Sequence, residues 1–177
     1  MTLFVAFLKG INVGGHHIVK KETLQEVFEQ LGFEEVATYK QSGNVVFEAG
    51  SIDPAVGTKI ETALRKKLGY EVPVFLRTIP DLRKMIELER RVKEGSSSLV
   101  TMLPSPPGKF PFRLPTTIPG SSAEVVSAGG TEVFSVTHGG GESALPNQFL
   151  ESKLGVKATT RNMNVIREIV EKFGDEA

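Results

Sequence analysis

No cysteine occurs anywhere in the 177-residue chain, so disulfides, thiolate metal sites, cysteine nucleophiles and iron–sulfur clusters are all excluded. A chain without cysteine fits a reducing compartment, and the expected location is cytoplasmic. Net charge is absent too: 12 basic and 12 acidic side chains fall in residues 1–90, and 9 of each in residues 91–177. Bulk nucleic acid and anionic membranes are normally met with a net positive field. Its absence argues against both as partners. No apolar run approaches a membrane span. Met1–Lys9 lacks the basic start of a signal peptide and reads as a first strand.

What is present is sufficient for a self-supporting core, with 40% hydrophobic and 24% charged residues. Leu3–Leu8 is an unbroken apolar run, the pattern of a strand buried on both faces. A glycine-rich loop follows, Gly10-Ile-Asn-Val-Gly-Gly15, continuing to Lys20. Leu24, Val27, Phe28 and Leu31 then repeat with helical spacing. Thr23 and Glu26 have capping-box spacing, and Gly32 is the expected stop. Strands are predicted at Val36–Lys40 and Asn44–Glu48, joined by the turn Gln41-Ser42-Gly43-Asn44. A second helix is predicted from an Asp53 cap with Pro54 at its first position to Gly69. The strand Val72–Arg77 follows, and then a helix from Pro80 to Val92.

The order β-α-β-β-α-β is that of a ferredoxin-like sheet. Gly95-Ser-Ser-Ser98 marks a boundary, and a second half begins with Leu99–Leu103. Residues 104–120 are rich in proline and hold little regular helix. Glu124–Ser127 and Glu132–Thr137 flank the hairpin signal Gly129-Gly130. A helix carrying Phe149, Leu150 and Leu154, a short strand at Val156–Thr159 and a last helix with Val165, Ile166, Ile169, Val170 and Phe173 complete the chain. The expected fold is therefore α+β, with two ferredoxin-like (βαββαβ) halves on antiparallel sheets. Residues 1–95 and 96–177 form the halves of one compact unit, the second lacking most of its first helix.

Connectivity places function. A right-handed β-α-β unit has parallel strands, so the Gly10–Lys20 loop and the Gln41–Asn44 turn leave their strands at the same sheet edge. The expected separation is two strand spacings, roughly 10 Å. Backbone amides of Gly10, Gly14 and Gly15 lie ahead of a helix N-terminus, where anions are favoured. Lys9, Lys20 and Lys21 add positive charge, and Asn12, Gln41, Ser42 and Asn44 add hydrogen-bonding groups. The expected function is binding of a small anionic or nucleotide-like ligand at this edge. One alternative is an enzyme acting on a phosphorylated small molecule, with Lys9 or Lys20 as an electrostatic or acid/base group. The other is a protein–protein or RNA interaction module.

Several weaker patterns carry less. His16-His17 lacks a carboxylate at ligand spacing, so no metal site is expected. "GINVGG" lacks the trailing Gly-Lys-Ser/Thr of a phosphate-binding loop, and no cofactor is expected. His138-Gly-Gly-Gly141 looks like an esterase oxyanion loop, but Gly141-Glu-Ser143-Ala-Leu145 lacks the final glycine of a nucleophile elbow. Phe4 and Phe47 lie on the predicted central strands, as base-stacking aromatics do in RNA-recognition motifs, yet "SGNVVFEA" matches that motif poorly. Nothing in the sequence sets an oligomeric state.

The segments "FLKGINVGGHHIVKKETLQEVFEQLGF", "ATYKQSGNVVFE" and "ATTRNMNVIREI" resemble a bacterial family, domain of unknown function 1697. The resemblance implies paired ferredoxin-like halves and no particular activity. Carried over by position, its motif residues are Gly10, Asn12, Val13, Gly14, Gly15, Gln41, Ser42, Gly43, Asn44, Thr160, Arg161 and Asn162. The chain departs from the family at Lys9, where arginine is frequent, and at Met163, where tryptophan is. Thr159–Asn162 also reads as a capped helix start at which Arg161 makes a bidentate contact to carboxylate or phosphate.

Overall fold

The computed structural model describes residues 1–12, 15–40, 43–50, 53, 55–91, 97–138 and 146–176, apart from the side chains of Ser97 and Glu176. Its contacts divide the chain into two units, Met1–Asp81 with Phe173–Ala177, and Leu82–Lys172. The boundary read from the sequence at 95/96 falls within residues 92–96, which lie outside the described residues.

The first unit runs β1 (Thr2–Leu8), α1 (Lys21–Gln30), β2 (Glu34–Thr38), β3 (Asn44–Ala49), α2 (Val56–Leu68) and β4 (Val74–Thr78). The sheet order is β2-β3-β1-β4, with every neighbouring pair antiparallel. This is the ferredoxin-like arrangement. The two-residue period of the strands sends Phe4, Ala6, Leu8, Val45, Phe47 and Ala49 into one core. Helical spacing brings Leu24, Val27 and Phe28 of α1 and Val56, Ile60 and Leu64 of α2 onto them. Full burial of each large side chain contributes about 1.5–3 kcal/mol. Phe47 sits at the centre, 4.5 Å from Phe33, 5.3 Å from Phe28 and 5.6 Å from Phe4 between ring centroids. Phe4 and Phe47 are thus core residues under helices and do not stand on an open sheet face.

Helix starts differ from their sequence signals. The capping box at Thr23 and Glu26 does not form. Lys20 is the N-cap, extended at ψ 145 and without a side-chain cap bond, and the Thr23 and Leu24 amides both donate to its carbonyl. Asp53 does accept from the Ala55 amide at 2.9 Å, but the helix begins only at Val56. The next helix, α3 (Ile79–Glu89), carries a reciprocal cap: Thr78 N donates to Asp81 Oδ2 at 2.8 Å, and Asp81 N to Thr78 Oγ1 at 3.3 Å.

The second unit contains most of α3, then β5 (Ser97–Met102), β6 (Thr116–Thr117), β7 (Ala123–Gly129), β8 (Glu132–Thr137), α4 (Pro146–Leu154), β9 (Thr159–Asn162) and α5 (Met163–Phe173). Its sheet order is β6-β7-β8-β5-β9. Without the two-residue β6, this is the order of the first sheet. The proline-rich stretch replaces the first helix. Phe110, Phe112, Leu114 and Ile118 supply the apolar surface that a helix would have given the core. Among the described residues, no helix is long and apolar enough to cross a membrane.

Candidate functional site

The Gly10–Lys20 loop is built around Asn12. Its Oδ1 accepts from the Val19 amide at 2.8 Å, its Nδ2 donates to the Val19 carbonyl at 3.3 Å, and its own amide donates to the His17 carbonyl at 3.0 Å. Asn12 and His17 adopt left-handed conformations, φ 54 and 48, which asparagine tolerates better than most residues. The His17 Nδ1–H donates to the Gly10 carbonyl at 3.2 Å, and its ring stacks on Tyr70. Ile11, fully buried, anchors the front of the loop in the core.

The turn between β2 and β3 lies at the same edge, as connectivity requires, but closer than two strand spacings. Strand β3 is hydrogen-bonded directly to β1, with Phe7 opposite Asn44. Leu8 N therefore donates to the Gly43 carbonyl at 2.8 Å. Gly43 has φ +82, and a Cβ there would stand 3.0 Å from both Ile11 Cγ1 and Leu8 Cβ. Only glycine meets both demands, so this position joins the turn to the loop. Asn44 is 1% exposed and donates from Nδ2 to the Tyr39 carbonyl at 2.9 Å. It closes the turn from inside.

Beside this junction lies a cavity of about 530 Å³, lined by Asn12, Ile18, Val19, Lys20, Lys21, Glu22, Leu24, Thr38 and Lys40. Its volume suits a drug-sized molecule. Three lysines and one glutamate border it. Lys20 and Lys21 open α1, whose first amides have no acceptor within the helix and whose dipole favours negative charge. Lys40, two residues past the end of β2, closes the other side, its ammonium 5.8 Å from the Tyr39 ring centroid. Thr38 adds a hydroxyl, and Val19 and Leu24 are buried apolar surface.

Of the residues singled out from the sequence, Asn12, Lys20 and Lys21 line this cavity. Lys9, Gly10 and Gly15 belong to the same edge without lining it, and the Lys9 amide is committed to the Pro73 carbonyl at 3.0 Å. Asn44 faces inward. Gly14, Gln41 and Ser42 lie outside the described residues, as does Val13. The sequence reading missed Ile18, Glu22, Thr38 and Lys40. The signal for Lys40 was its place immediately before the predicted turn; Ile18 and Thr38 carried none.

Thr160, Arg161 and Asn162 are in the second unit and form strand β9, which leads directly into α5. Thr160 pairs with Thr101 across β9 and β5, and their hydroxyls are 2.8 Å apart. Arg161 is buried, with Nη1 donating to Thr159 Oγ1 at 2.7 Å and to the Thr160 carbonyl at 3.0 Å. Desolvation lowers its pKa to about 10. Only Asn162 caps, accepting from the Asn164 amide at 2.8 Å. All four residues of β9 pair with β5, and at Thr159, Thr160 and Arg161 that pairing overrides the capping pattern.

The weaker patterns resolve locally. His16 is exposed, and among the described residues no three His, Asp or Glu side chains gather as metal ligands. His138 Nε2 lies 3.4 Å from Glu124 Oε2; Gly139, Gly140, Gly141 and Ser143 are outside the described residues.

Fold and site together define an α+β protein with paired ferredoxin-like sheets and a lysine-rimmed cavity at one edge of the first. The chain belongs to the family described as protein of unknown function (DUF1697), which matches residues 1–134. That match takes in the loop and the turn, and ends before Thr160–Asn162. Among solved structures, the chain is similar to the conserved bacterial protein SP0830 from Streptococcus pneumoniae. The two share 17% identity and a TM-score of 0.70, over 96% of this chain and 97% of that one. At this identity the likeness is one of fold. No curated protein matches the sequence.

Proposed function

We propose that the first unit binds a small anionic or nucleotide-like ligand in the cavity at the start of α1. The observation that carries this reading is the meeting of Lys20, Lys21 and Lys40 on one 530 Å³ cavity in a chain whose net charge is zero. The positive charge at this edge is therefore local, which suits a small anion better than a polymer of phosphates. Thr38 offers a hydroxyl at the same cavity, and Lys20 and Lys21 stand at the start of α1, where the helix dipole favours an anion. The absence of cysteine supports a cytoplasmic setting.

A calorimetric titration of the whole protein with methyl phosphate, pyrophosphate and nucleoside monophosphates tests the reading. At least one should bind, more weakly as salt rises. The triple variant Lys20→Ala/Lys21→Ala/Lys40→Ala should keep its circular dichroism spectrum and lose binding. Unchanged binding by the triple variant, or no binding by the parent across the panel, overturns the proposal.

A further inference from the structure

The same cavity has an apolar side that a bare anion does not use. Ile18 is 75% exposed; among the described residues the other large apolar side chain so exposed is Met1, at the chain start. Single exposed apolar residues are ordinary on protein surfaces. Ile18 differs in being held between two fixed neighbours. His17 is tied to the Gly10 carbonyl and stacked on Tyr70, and Val19 is bonded to Asn12 through both its amide and its carbonyl. The loop thus holds an isoleucine side chain at the rim of a cavity whose other apolar surface is Val19 and Leu24. Lys20 and Lys21 follow directly in sequence, so charge and apolar surface sit side by side.

Resting on the function proposed above, we infer that the ligand is an amphiphilic anion: a phosphate monoester whose esterified group is apolar. The phosphate would lie toward Lys20, Lys21 and Lys40, and the apolar body against Ile18 and Leu24. An aryl group covering the Ile18 side chain removes apolar surface from water on both partners, and a gain of about tenfold is expected from that burial.

The test compares methyl phosphate with phenyl phosphate, which carry the same head group, by titration into the full-length protein. Phenyl phosphate should bind about tenfold tighter. Ile18→Ser should bring the ratio of the two affinities to within about twofold, and Ile18→Leu should retain the preference. Equal affinity of the parent for both esters overturns this inference and leaves the anion site standing. A preference that survives Ile18→Ser also overturns it, since the apolar contact would then lie elsewhere. Binding of neither ester overturns this inference, and it removes the anion site as well when pyrophosphate and the nucleoside monophosphates also fail to bind.

Discussion

The His17 ring lies flat on Tyr70, with centroids 3.9 Å apart and 15° between the planes. The contact ties the glycine-rich loop to the segment between α2 and β4, far from it in sequence. It does so at the residue beside Ile18, so it sets where the cavity's apolar rim stands. Tyr70→Ala should cost about 0.5–1.5 kcal/mol beyond the lost burial. Hydrogen exchange should quicken at the Asn12 and Val19 amides, the two closed inside the loop, while β1 and β3 keep their protection. Unchanged exchange at both amides would show that the Asn12 bonds hold the loop without the stack.

Partial burial of Tyr70 raises its pKa above the ordinary 10.0. The phenol is neutral when protonated, so the folded chain keeps this proton to higher pH than the unfolded chain does. The stability it contributes is present below pH 10.0 and is lost as pH rises through the folded value. The chain has two tyrosines and no tryptophan, so phenolate absorbance is easily read. In a Tyr39→Phe variant, the titration near 295 nm reports Tyr70 alone and should have its midpoint above 10.0.

Gly43 and Gly32 share a left-handed backbone, φ +82 and +87, but not their surroundings. A Cβ at Gly32 meets nothing within 4 Å, whereas one at Gly43 meets Ile11 and Leu8 at 3.0 Å. Gly32→Ala should cost about 1–2 kcal/mol for backbone strain alone. Gly43→Ala should lose about 1–3 kcal/mol more through overpacking. Equal losses in chemical denaturation would mean that the loop yields freely at Ile11.

Asn44 was expected to offer its amide to a ligand, and the structure turns it inward instead. Asn44→Ala should destabilise the protein by about 1–3 kcal/mol, because the Tyr39 carbonyl loses a buried donor. The melting temperature should fall with or without phosphate esters present. A variant of parental stability that fails to bind them would return Asn44 to the ligand.

Much of the fold was legible in the chain. The unbroken apolar run of β1 and the helical spacing of Leu24, Val27 and Phe28 record burial directly, because a side chain's face follows from its period. The shared edge of loop and turn was legible for a similar reason, since β-α-β handedness leaves one arrangement. The replacement of a helix by the stretch around Phe110 and Phe112 could be read from its prolines.

Where polar side chains point is a different kind of question. Asn12 and Asn44 spend their amides on backbone groups that only the closed loop and turn bring within reach. Thr160 and Arg161 became strand because β5 offered an edge to pair with, a partner 59 residues away in the case of Thr101 and Thr160. Ile18 and Lys40 meet on one cavity through contacts that join α1, β2 and the loop. The order of elements and the edge at which two bends come together follow from local period and chain handedness, which any reading of the chain contains. Which side chains face that cavity follows from packing, because a polar group turns toward the backbone amides and carbonyls that packing leaves in need of a partner.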